Sequence, residues 1–191
     1  TARDRDLEVR DDVSLGEVGP GDVRVKIVSS GVCHSDLSAL NGTIPCGLPC
    51  VLGHEGAGVV QEVGRGVRDL AAGDHVILSF TPACRTCAAC LRGQSYLCHA
   101  TIPMAISQHF VLAGKPLSGL TGLGTFAEEL ITTEAAAVKV ERDIPLDVVS
   151  LIGCGVTTGV GAAIHTAGVT PGSSVVVFGC GGVGISVIQG A

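Results

Sequence analysis

Four cysteines within one short segment are the densest set of potential metal ligands in the chain. They follow the spacing C-x2-C-x2-C-x7-C and are Cys84, Cys87, Cys90 and Cys98. Short intervals allow successive thiolates to converge on one ion, and four sulfur atoms complete a tetrahedral shell without room for substrate. The pattern predicts a structural zinc site. Unmetallated or disulfide-bonded thiols and an iron–sulfur cluster are the alternatives that this spacing leaves open.

A second set of possible zinc ligands is scattered along the chain. Cys33 lies in the segment Gly-Val-Cys-His-Ser-Asp, His54 in Gly-His-Glu-Gly-Ala-Gly, and Cys154 in Gly-Cys-Gly-Val-Thr-Thr-Gly. Thiolate and imidazole suit zinc, and three protein ligands leave a fourth coordination position for a reacting molecule. Spacing alone does not join these residues, because buried free cysteines and hydrogen-bonded histidines are also common structural features.

A glycine-rich turn further along the chain has the spacing of a dinucleotide-binding loop. Gly179, Gly181 and Gly184 occupy the glycine positions of G-x-G-x-x-G, between an apolar segment at 175–178 and a helix predicted to begin at Ile185. Glycine at these positions permits a tight turn, close approach of the backbone to pyrophosphate, and close packing of helix on strand. The pattern therefore predicts a strand–turn–helix unit that opens a nucleotide-binding domain.

Three strands are predicted upstream to position these groups. Val23, Val25 and Ile27 alternate with other residues in the period of a half-buried strand that runs towards Cys33. Residues 56–63 and 75–80 are two more apolar, β-branched runs, each bounded by Gly, Asp or Pro. This half of the chain is expected to be strand-rich.

Two later segments have weaker patterns. Residues 82–118 are rich in Cys, Gly, Pro and Thr and are expected to form a long irregular connection that the four cysteines staple. Residues 147–167 combine Val, Ile, Ala and Thr with Gly and are expected to form a glycine-rich helical segment. Pro171-Gly172 then predicts a turn.

Composition narrows the class of protein. Apolar residues make up 46% of 191 residues, with four Phe, one Tyr and no Trp, so a core of Val, Ile, Leu and Ala is expected, as in compact α/β proteins. A net charge of -6 without a long basic run argues against a nucleic-acid or anionic-membrane partner. No signal peptide or membrane-spanning run is recognised. Nine cysteines, an odd number, favour metal-ligating thiols and a cytoplasmic location.

The motifs together resemble those of the zinc-dependent medium-chain alcohol dehydrogenases, along essentially the whole chain. The resemblance rests on G-H-E-x-x-G, the four-cysteine spacing and G-x-G-x-x-G, in this order. It implies an α/β chain with a β-rich part: a GroES-like zinc-binding catalytic domain at 1–145, followed at 146–191 by the first, incomplete part of a Rossmann domain. It also implies a truncated sequence that is inactive by itself.

The resemblance implies a role for each residue of the scattered set. Cys33, His54 and Cys154 would be the catalytic zinc ligands. Glu55, adjacent to His54, would lie near the metal and could exchange with a ligand. Asp36 would hydrogen-bond the His54 ring and fix its tautomer.

Further roles follow from the same resemblance. Ser35 would hydrogen-bond the substrate oxygen and receive its proton, and Ser38 stands where liver-type members have a histidine that passes the proton to solvent. Phe80 matches an aromatic residue of the substrate pocket. His34 would contact the pyrophosphate of the cofactor and Thr158 the nicotinamide region.

The implied activity is hydride transfer between an alcohol or aldehyde held at zinc and a nicotinamide nucleotide. Two zinc ions per full-length chain and NAD are expected, with NADP left open because the discriminating acidic residue, about 20 positions after the turn, is not in the sequence. The expected partners are a small alcohol or aldehyde and further copies of the chain. Neither nucleic acid nor a membrane is expected to bind.

Three other functions are the alternatives to this one. A thiol-dependent formaldehyde dehydrogenase of the same fold would use the same ligands. A non-enzymatic zinc module would need only the four-cysteine lobe. A zinc-free quinone reductase relative would lack both ligand sets, which this sequence contains.

Three cysteines match no metal position. Cys46, Cys50 and Cys180 are interpreted as small apolar core residues. For Cys46 and Cys50 exposure and oxidation are the alternative.

Overall fold

The computed structural model describes residues 7–191, so the first six residues of the predicted catalytic domain lie outside the described residues. A short π-helical turn, Ala162–Thr166, directly follows the helix Gly155–Gly161. In chain order the helices and strands are β1 (Val13–Leu15), β2 (Asp22–Gly31), α1 (His34–Leu40), β3 (Cys50–Val51), β4 (Glu55–Val63), β5 (His75–Leu78), α2 (Ala88–Leu91), α3 (Thr101–Ala105), β6 (Phe110–Leu112), β7 (Lys115–Gly119), β8 (Glu129–Thr133), β9 (Ala137–Val140), α4 (Leu146–Val149), α5 (Gly155–Gly161) and α6 (Gly182–Gly190).

Two β-sheets form the body of the structure. One contains five antiparallel strands in the order β8-β2-β4-β5-β9, and the other contains four strands in the order β1-β6-β7-β3. The main core cluster includes Val25, Val76 and Leu130 from the first sheet with Phe110 and Leu117 from the second. The two sheets therefore bury their apolar faces against each other, which is how half-buried strands exclude water.

The three predicted strands are confirmed with small shifts at their ends. In β2 the side chains of Val23 and Val25 are fully buried, as their alternation predicted. The strand predicted at 56–63 begins at Glu55, and the one predicted at 75–80 ends at Leu78, so Phe80 follows the strand. These three strands are neighbours in the five-stranded sheet and carry the site described below.

The prediction of an irregular connection over 82–118 is wrong for much of that segment. It contains two short helices and two strands, α2, α3, β6 and β7. The strands form because Phe110 and Leu117 are buried between the two sheets, which stabilises the hairpin beyond what its turn-rich composition indicates. The part that carries the four cysteines has only short helical turns.

The helical segment predicted at 147–167 is confirmed, but it is divided into several shorter pieces. It contains α4, a 3-10 turn at Ser150–Gly153, and α5, with a break at Cys154, whose φ and ψ are -139° and -74°. The Gly155 amide donates to the Glu55 carboxylate at 3.1 Å instead of to a carbonyl one turn earlier. A side chain from β4 thus binds the first amide of α5, which has no partner within the helix, next to the candidate ligand Cys154.

The prediction of a strand at 175–178 is wrong within the described residues. No ladder forms there, and Val176 and Phe178 are 76% and 96% exposed. A strand requires a hydrogen-bonded neighbour, and no described strand pairs with this segment. The turn at Pro171-Gly172 is confirmed, and α6 begins at Gly182, three residues before the predicted start.

Within residues 7–191, no individual helix has both the length and the apolar character to cross a bilayer. The helical segments Leu146–Gly153 and Gly155–Thr166 satisfy the length and composition test only when joined across a 55° bend.

Candidate metal centres and active site

The three scattered ligand candidates meet in space because each lies at the end of a different element. Cys33 caps the N-terminus of α1, His54 directly precedes β4, and Cys154 occupies the break before α5. Together with Glu55, their ligand atoms all lie within 4.8 Å of one another. Two sulfurs and an imidazole nitrogen at such separations can share one tetrahedral cation, and the residue types are those that zinc prefers.

The Asp36 side chain connects two of the candidate ligands and the loop between them. Its carboxylate, 4% exposed, accepts hydrogen bonds from the Gly53 amide at 2.9 Å and the Cys33 amide at 3.1 Å. The same group lies 3.2 Å from Nδ1 of His54, which leaves Nε2 as the ring nitrogen available to a metal. One carboxylate therefore orients the imidazole and fixes the backbone beside two of the ligands.

Negative groups dominate the electrostatics of this cluster. Burial alone disfavours the imidazolium, but hydrogen bonds to Asp36 and Cys154 raise the pKa of His54 to about 10. Burial also opposes ionisation of Cys33, yet hydrogen bonds from Ser35 and His54 leave the pKa of this thiol below its usual value. The cluster thus favours a bound positive charge, which a divalent cation can supply in place of the histidine proton.

The Glu55 side chain is closely packed by its neighbours, which the sequence did not predict. Its Oε1 accepts from the Gly155 amide, and its carboxylate is 4% exposed. A Cβ at residue 31 would overlap Oε2 of Glu55 and lie 2.6 Å from Cδ2 of Leu151. A side chain at residue 31 would have to displace these two side chains, and the signal in the sequence is no more than Gly31 at the end of a predicted strand.

Two further side chains border the cluster. The Phe80 ring meets the His54 ring edge to face, with centroids 5.7 Å apart, so the predicted pocket aromatic is beside the ligands. Thr125 was missed by sequence reasoning: it is 1% exposed, and its hydroxyl lies 2.7 Å from the Ser30 hydroxyl. Its amide donates to the Gly53 carbonyl at 3.0 Å and fixes the loop before His54.

The remaining residues of the predicted active site lie on helices near the cluster. Ser35 is half-buried, and its amide lies 3.5 Å from the Cys33 sulfur. His34 is exposed, with Nδ1 3.3 Å from the Ser38 hydroxyl. Thr158 is exposed on α5, and its amide donates to the Cys154 carbonyl.

The glycine-rich turn leads directly into α6. Gly179 has a φ of +100°, which favours glycine, and Gly181 caps the helix. A Cβ at Gly184 would overlap the Gly179 carbonyl, so the first turn of α6 packs directly on the loop. The amides at the N-terminus of this nine-residue helix form the kind of positive pole that binds phosphate groups.

The four-cysteine lobe forms a second cluster with all ligand atoms within 4.8 Å of one another. Backbone amides point at its sulfurs: Cys87 donates to Cys84 and Cys84 to Cys98, both at 3.3 Å. Hydrogen bonds from Thr86 and Cys87 lower the pKa of Cys84 to about 5, which favours the thiolate that a metal requires. Four sulfurs at such separations can share one tetrahedral ion and leave no position for another ligand.

The interpretation of the unassigned cysteines as small apolar core residues is confirmed for Cys50, which lies in an apolar cluster with Cys46 packed against it, and is wrong for Cys180. Cys50 is buried, 8% exposed, so the alternative that it is exposed is wrong. Cys180 is exposed in the glycine-rich turn, where it packs in no core, so its interpretation as an apolar core residue is also wrong. Cys46 is half-buried, and its thiol donates to the Ala39 carbonyl at 3.6 Å.

Known proteins are similar to this chain in both sequence and fold. The chain is 46% identical over 193 residues to the S-(hydroxymethyl)glutathione dehydrogenase of Paracoccus denitrificans, covering 96% of this chain and 51% of the relative. A zinc-binding-domain alcohol dehydrogenase from Burkholderia ambifaria superposes with a TM-score of 0.85 at 38% identity. Benzyl alcohol dehydrogenase from Acinetobacter calcoaceticus superposes with a TM-score of 0.84 at 33% identity. Each superposition covers 93% of this chain and 50% of the other.

The chain spans about half the length of these relatives. Residues 19–142 match the alcohol dehydrogenase GroES-like domain, a match that includes Cys33, His54 and the four-cysteine lobe and ends before Cys154. On this match, and on relatives that align over nearly all of its residues, the chain belongs to the zinc-dependent medium-chain alcohol dehydrogenase family.

Proposed function

We propose that this chain carries the zinc-binding half of an oxidoreductase that transfers a hydride between a small alcohol or aldehyde and a nicotinamide nucleotide. The observation that carries the proposal is the convergence of Cys33, His54 and Cys154 within 4.8 Å. Three ligands of these types leave one tetrahedral position open, and an open position is what distinguishes catalytic from structural zinc sites.

The residues around the cluster have separable tasks in this reaction. Zinc, when bound, acts as a Lewis acid that makes an alcohol more acidic. Asp36 keeps the His54 ring in its ligating orientation through the 3.2 Å contact with Nδ1. Phe80 covers one side of the His54 ring and limits the space for the substrate chain. The Ser35 hydroxyl, two residues after Cys33, receives the substrate proton, and the Ser38–His34 pair on the exposed side of α1 passes it to solvent.

The two halves of the chain have different proposed roles. Every described strand precedes residue 145, and only helices and turns follow, which supports a catalytic domain at 1–145 and the opening of a nucleotide-binding domain at 146–191. Cys84, Cys87, Cys90 and Cys98 hold a structural zinc in the first. In the second, Gly179, Gly181 and Gly184 bind the pyrophosphate of NAD, with His34 and Thr158 as further contacts. The complete protein acts as a homo-oligomer in the cytoplasm.

A thiol-dependent formaldehyde dehydrogenase is the second candidate function. It is favoured by the 46% identity to the Paracoccus enzyme, whose name specifies the hydroxymethyl adduct of glutathione. Turnover by the complete protein of free primary alcohols, compared with that of the glutathione adduct of formaldehyde, separates the two. Strong preference for the adduct would favour the second candidate, and activity on free alcohols alone would favour the first.

Metal content tests the proposal independently of turnover. The protein is expected to bind two zinc ions per chain, and Cys154→Ala is expected to remove one while the four-cysteine lobe keeps the other. Cys180→Ala is the matched control, because this exposed cysteine belongs to neither cluster and its loss should leave both ions. Elemental analysis after gel filtration measures the ratio. Retention of both ions by Cys154→Ala would contradict the proposal, and one ion in the unmodified chain would favour a purely structural zinc module.

A further inference from the structure

Cys154 lies at a junction between two segments that pack on different parts of the molecule. The 3-10 turn before it, Ser150–Gly153, lies against β2, β4 and β5 of the five-stranded sheet. The helix after it, α5, packs on α6, where a Cβ at Gly159 would overlap the Val183 carbonyl. The position of the Cys154 thiol therefore depends on how the start of α5 is joined to the sheet.

A single hydrogen bond makes this connection. Oε1 of Glu55, the first residue of β4, accepts from the Gly155 amide at 3.1 Å. The first amides of a helix have no partner within the helix, and leaving such a group unpaired away from water is costly. Within residues 7–191 this is the only hydrogen bond between α5 and the five-stranded sheet. It therefore fixes the residue directly after Cys154.

The Glu55 side chain has little freedom to turn away from this bond. The residue is buried, and a Cβ at Gly31 would overlap its Oε2. The same Cβ would lie 2.6 Å from Cδ2 of Leu151, so these groups fill the space around the carboxylate. A carboxylate confined in this way can hold the Gly155 amide in one place.

We propose that Glu55 is a positioning residue: its carboxylate holds the first turn of α5 against the sheet and so places the Cys154 thiolate in the zinc site. The inference rests on the proposed catalytic zinc site. It assigns Glu55 the role of a hydrogen-bond acceptor, instead of the exchangeable ligand that the family resemblance implies. An oxygen at the position of Oε1 is sufficient for this role, whereas zinc ligation requires a carboxylate.

The same hydrogen bond fixes α6 relative to the metal cluster. The two helices meet closely, because a Cβ at Gly159 would lie 2.5 Å from Cβ of Ser186 and a Cβ at Gly190 would lie 2.9 Å from Cα of Val160. A shift of the first turn of α5 would therefore move α6 as well. Glu55 thus sets the separation between the cysteine–histidine cluster and the glycine-rich turn before α6.

Two substitutions of Glu55 separate the two roles. Glu55→Gln keeps an oxygen that can accept from the Gly155 amide but removes the charge, whereas Glu55→Met keeps the length of the side chain without a comparable acceptor. Glu55→Gln is expected to bind zinc at the cluster as tightly as the unmodified chain, and Glu55→Met roughly 10- to 100-fold more weakly. Competition with a chromogenic chelator measures these affinities. The four-cysteine lobe is the reference within each chain, and Glu62→Met, at the exposed end of β4, is the matched control.

Hydrogen exchange of the Gly155 amide, followed by NMR, reports on the contact without any metal. The amide is expected to be protected in the unmodified and Glu55→Gln chains and to exchange faster in Glu55→Met. This measurement separates the inference from the proposed function. An unmodified chain that binds no zinc at the cluster would contradict the proposed function, whereas exchange at Gly155 would still show whether Glu55 holds α5.

Two results would overturn the inference. One is an equal loss of zinc affinity in Glu55→Gln and Glu55→Met, which would mean that Glu55 acts through its charge or as a ligand. The other is a Glu55→Met chain that keeps both the zinc affinity of the cluster and the protection of the Gly155 amide. If Glu55→Met fails to fold, as judged by loss of zinc from the four-cysteine lobe, Glu55→Ala replaces it, because its smaller side chain cannot clash with Leu151.

Discussion

Asp36 makes three polar contacts with the cysteine–histidine cluster and the loop before it, with Cys33, Gly53 and His54. It accepts from two backbone amides and orients the His54 ring, with little exposure to solvent. Such partners of metal ligands typically contribute about 10- to 100-fold to metal affinity. Both carboxylate oxygens of Asp36 are used, because its contacts with Cys33 and Gly53 involve different oxygens.

Asp36→Asn is expected to weaken zinc binding at this cluster by roughly 10- to 100-fold while the four-cysteine lobe keeps its affinity. The physical reason is that the amide group of asparagine replaces one acceptor by a donor, so it cannot serve all three partners. Competition with a chromogenic chelator measures the two affinities. Asp143→Asn, at an exposed position, is the control. Equal affinities in the two variants would contradict the role assigned to Asp36.

Gly31→Ala is expected to lower the free energy of unfolding by about 1–3 kcal/mol, because the added methyl group overlaps closely packed side chains around Glu55. Its neighbours are the Glu55 carboxylate and the Leu151 side chain. Gly47→Ala is the matched control, since nothing lies within 4 Å of a Cβ at that position. Urea denaturation of both variants tests the difference. A Gly31→Ala protein as stable as Gly47→Ala would contradict the close packing around Glu55.

At the scale of elements, one buried carboxylate links the start of β5 to β9 beside it. Asp74, 5% exposed, accepts from the Lys139 ammonium at 2.8 Å and from the Ala71 amide at 2.9 Å, with Arg142 3.8 Å away. The hydrogen bond from Lys139 holds the pKa of Asp74 below its usual value. These contacts stabilise the turn before β5 and hold the edge strand β9 against β5.

The stability that Asp74 contributes is expected to depend on pH. Because the pKa of Asp74 is lower in the folded chain than in the unfolded one, its contribution is present above about pH 4 and is lost as the pH falls through the folded value. Asp74→Asn should therefore cost about 1 kcal/mol near neutral pH, a value limited by the exposure of Lys139, and little in acid. Denaturation at both pH values checks this. A difference from the unmodified chain that stays constant with pH would contradict it.

At the scale of the whole molecule, the packed core and the glycine-rich segment that contains Phe178 differ sharply in burial. Phe110 is 3% exposed between the two sheets, whereas Phe178 in the glycine-rich segment is 96% exposed. The sheets supply neighbours for the first side chain, and no described residue covers the second. The GroES-like part is therefore the unit that the interactions within this chain stabilise.

Two substitutions of the same residue type test this contrast. Phe110→Ala is expected to destabilise the chain by about 3–5 kcal/mol through cavity formation. Phe178→Ala is expected to change the free energy of unfolding by less than about 0.5 kcal/mol, as for most surface positions. Thermal or chemical denaturation of both provides the comparison. A large loss for Phe178→Ala would mean that this segment is packed in solution.

The sequence by itself determined the ligand types, the family and the strands at the centre of the fold. These features are local: the cysteine spacing, the glycine-rich turn and the alternation in β2 require no knowledge of distant residues. The family resemblance implied that Cys33, His54 and Cys154 meet, but the other contacts between distant residues were decided by the tertiary structure alone. The break at Cys154 depends on a hydrogen bond between Glu55 and Gly155, 100 residues apart in sequence. The β6–β7 hairpin depends on burial between two sheets, and the segment 175–178 forms no strand because pairing needs a neighbour that sequence pattern cannot supply.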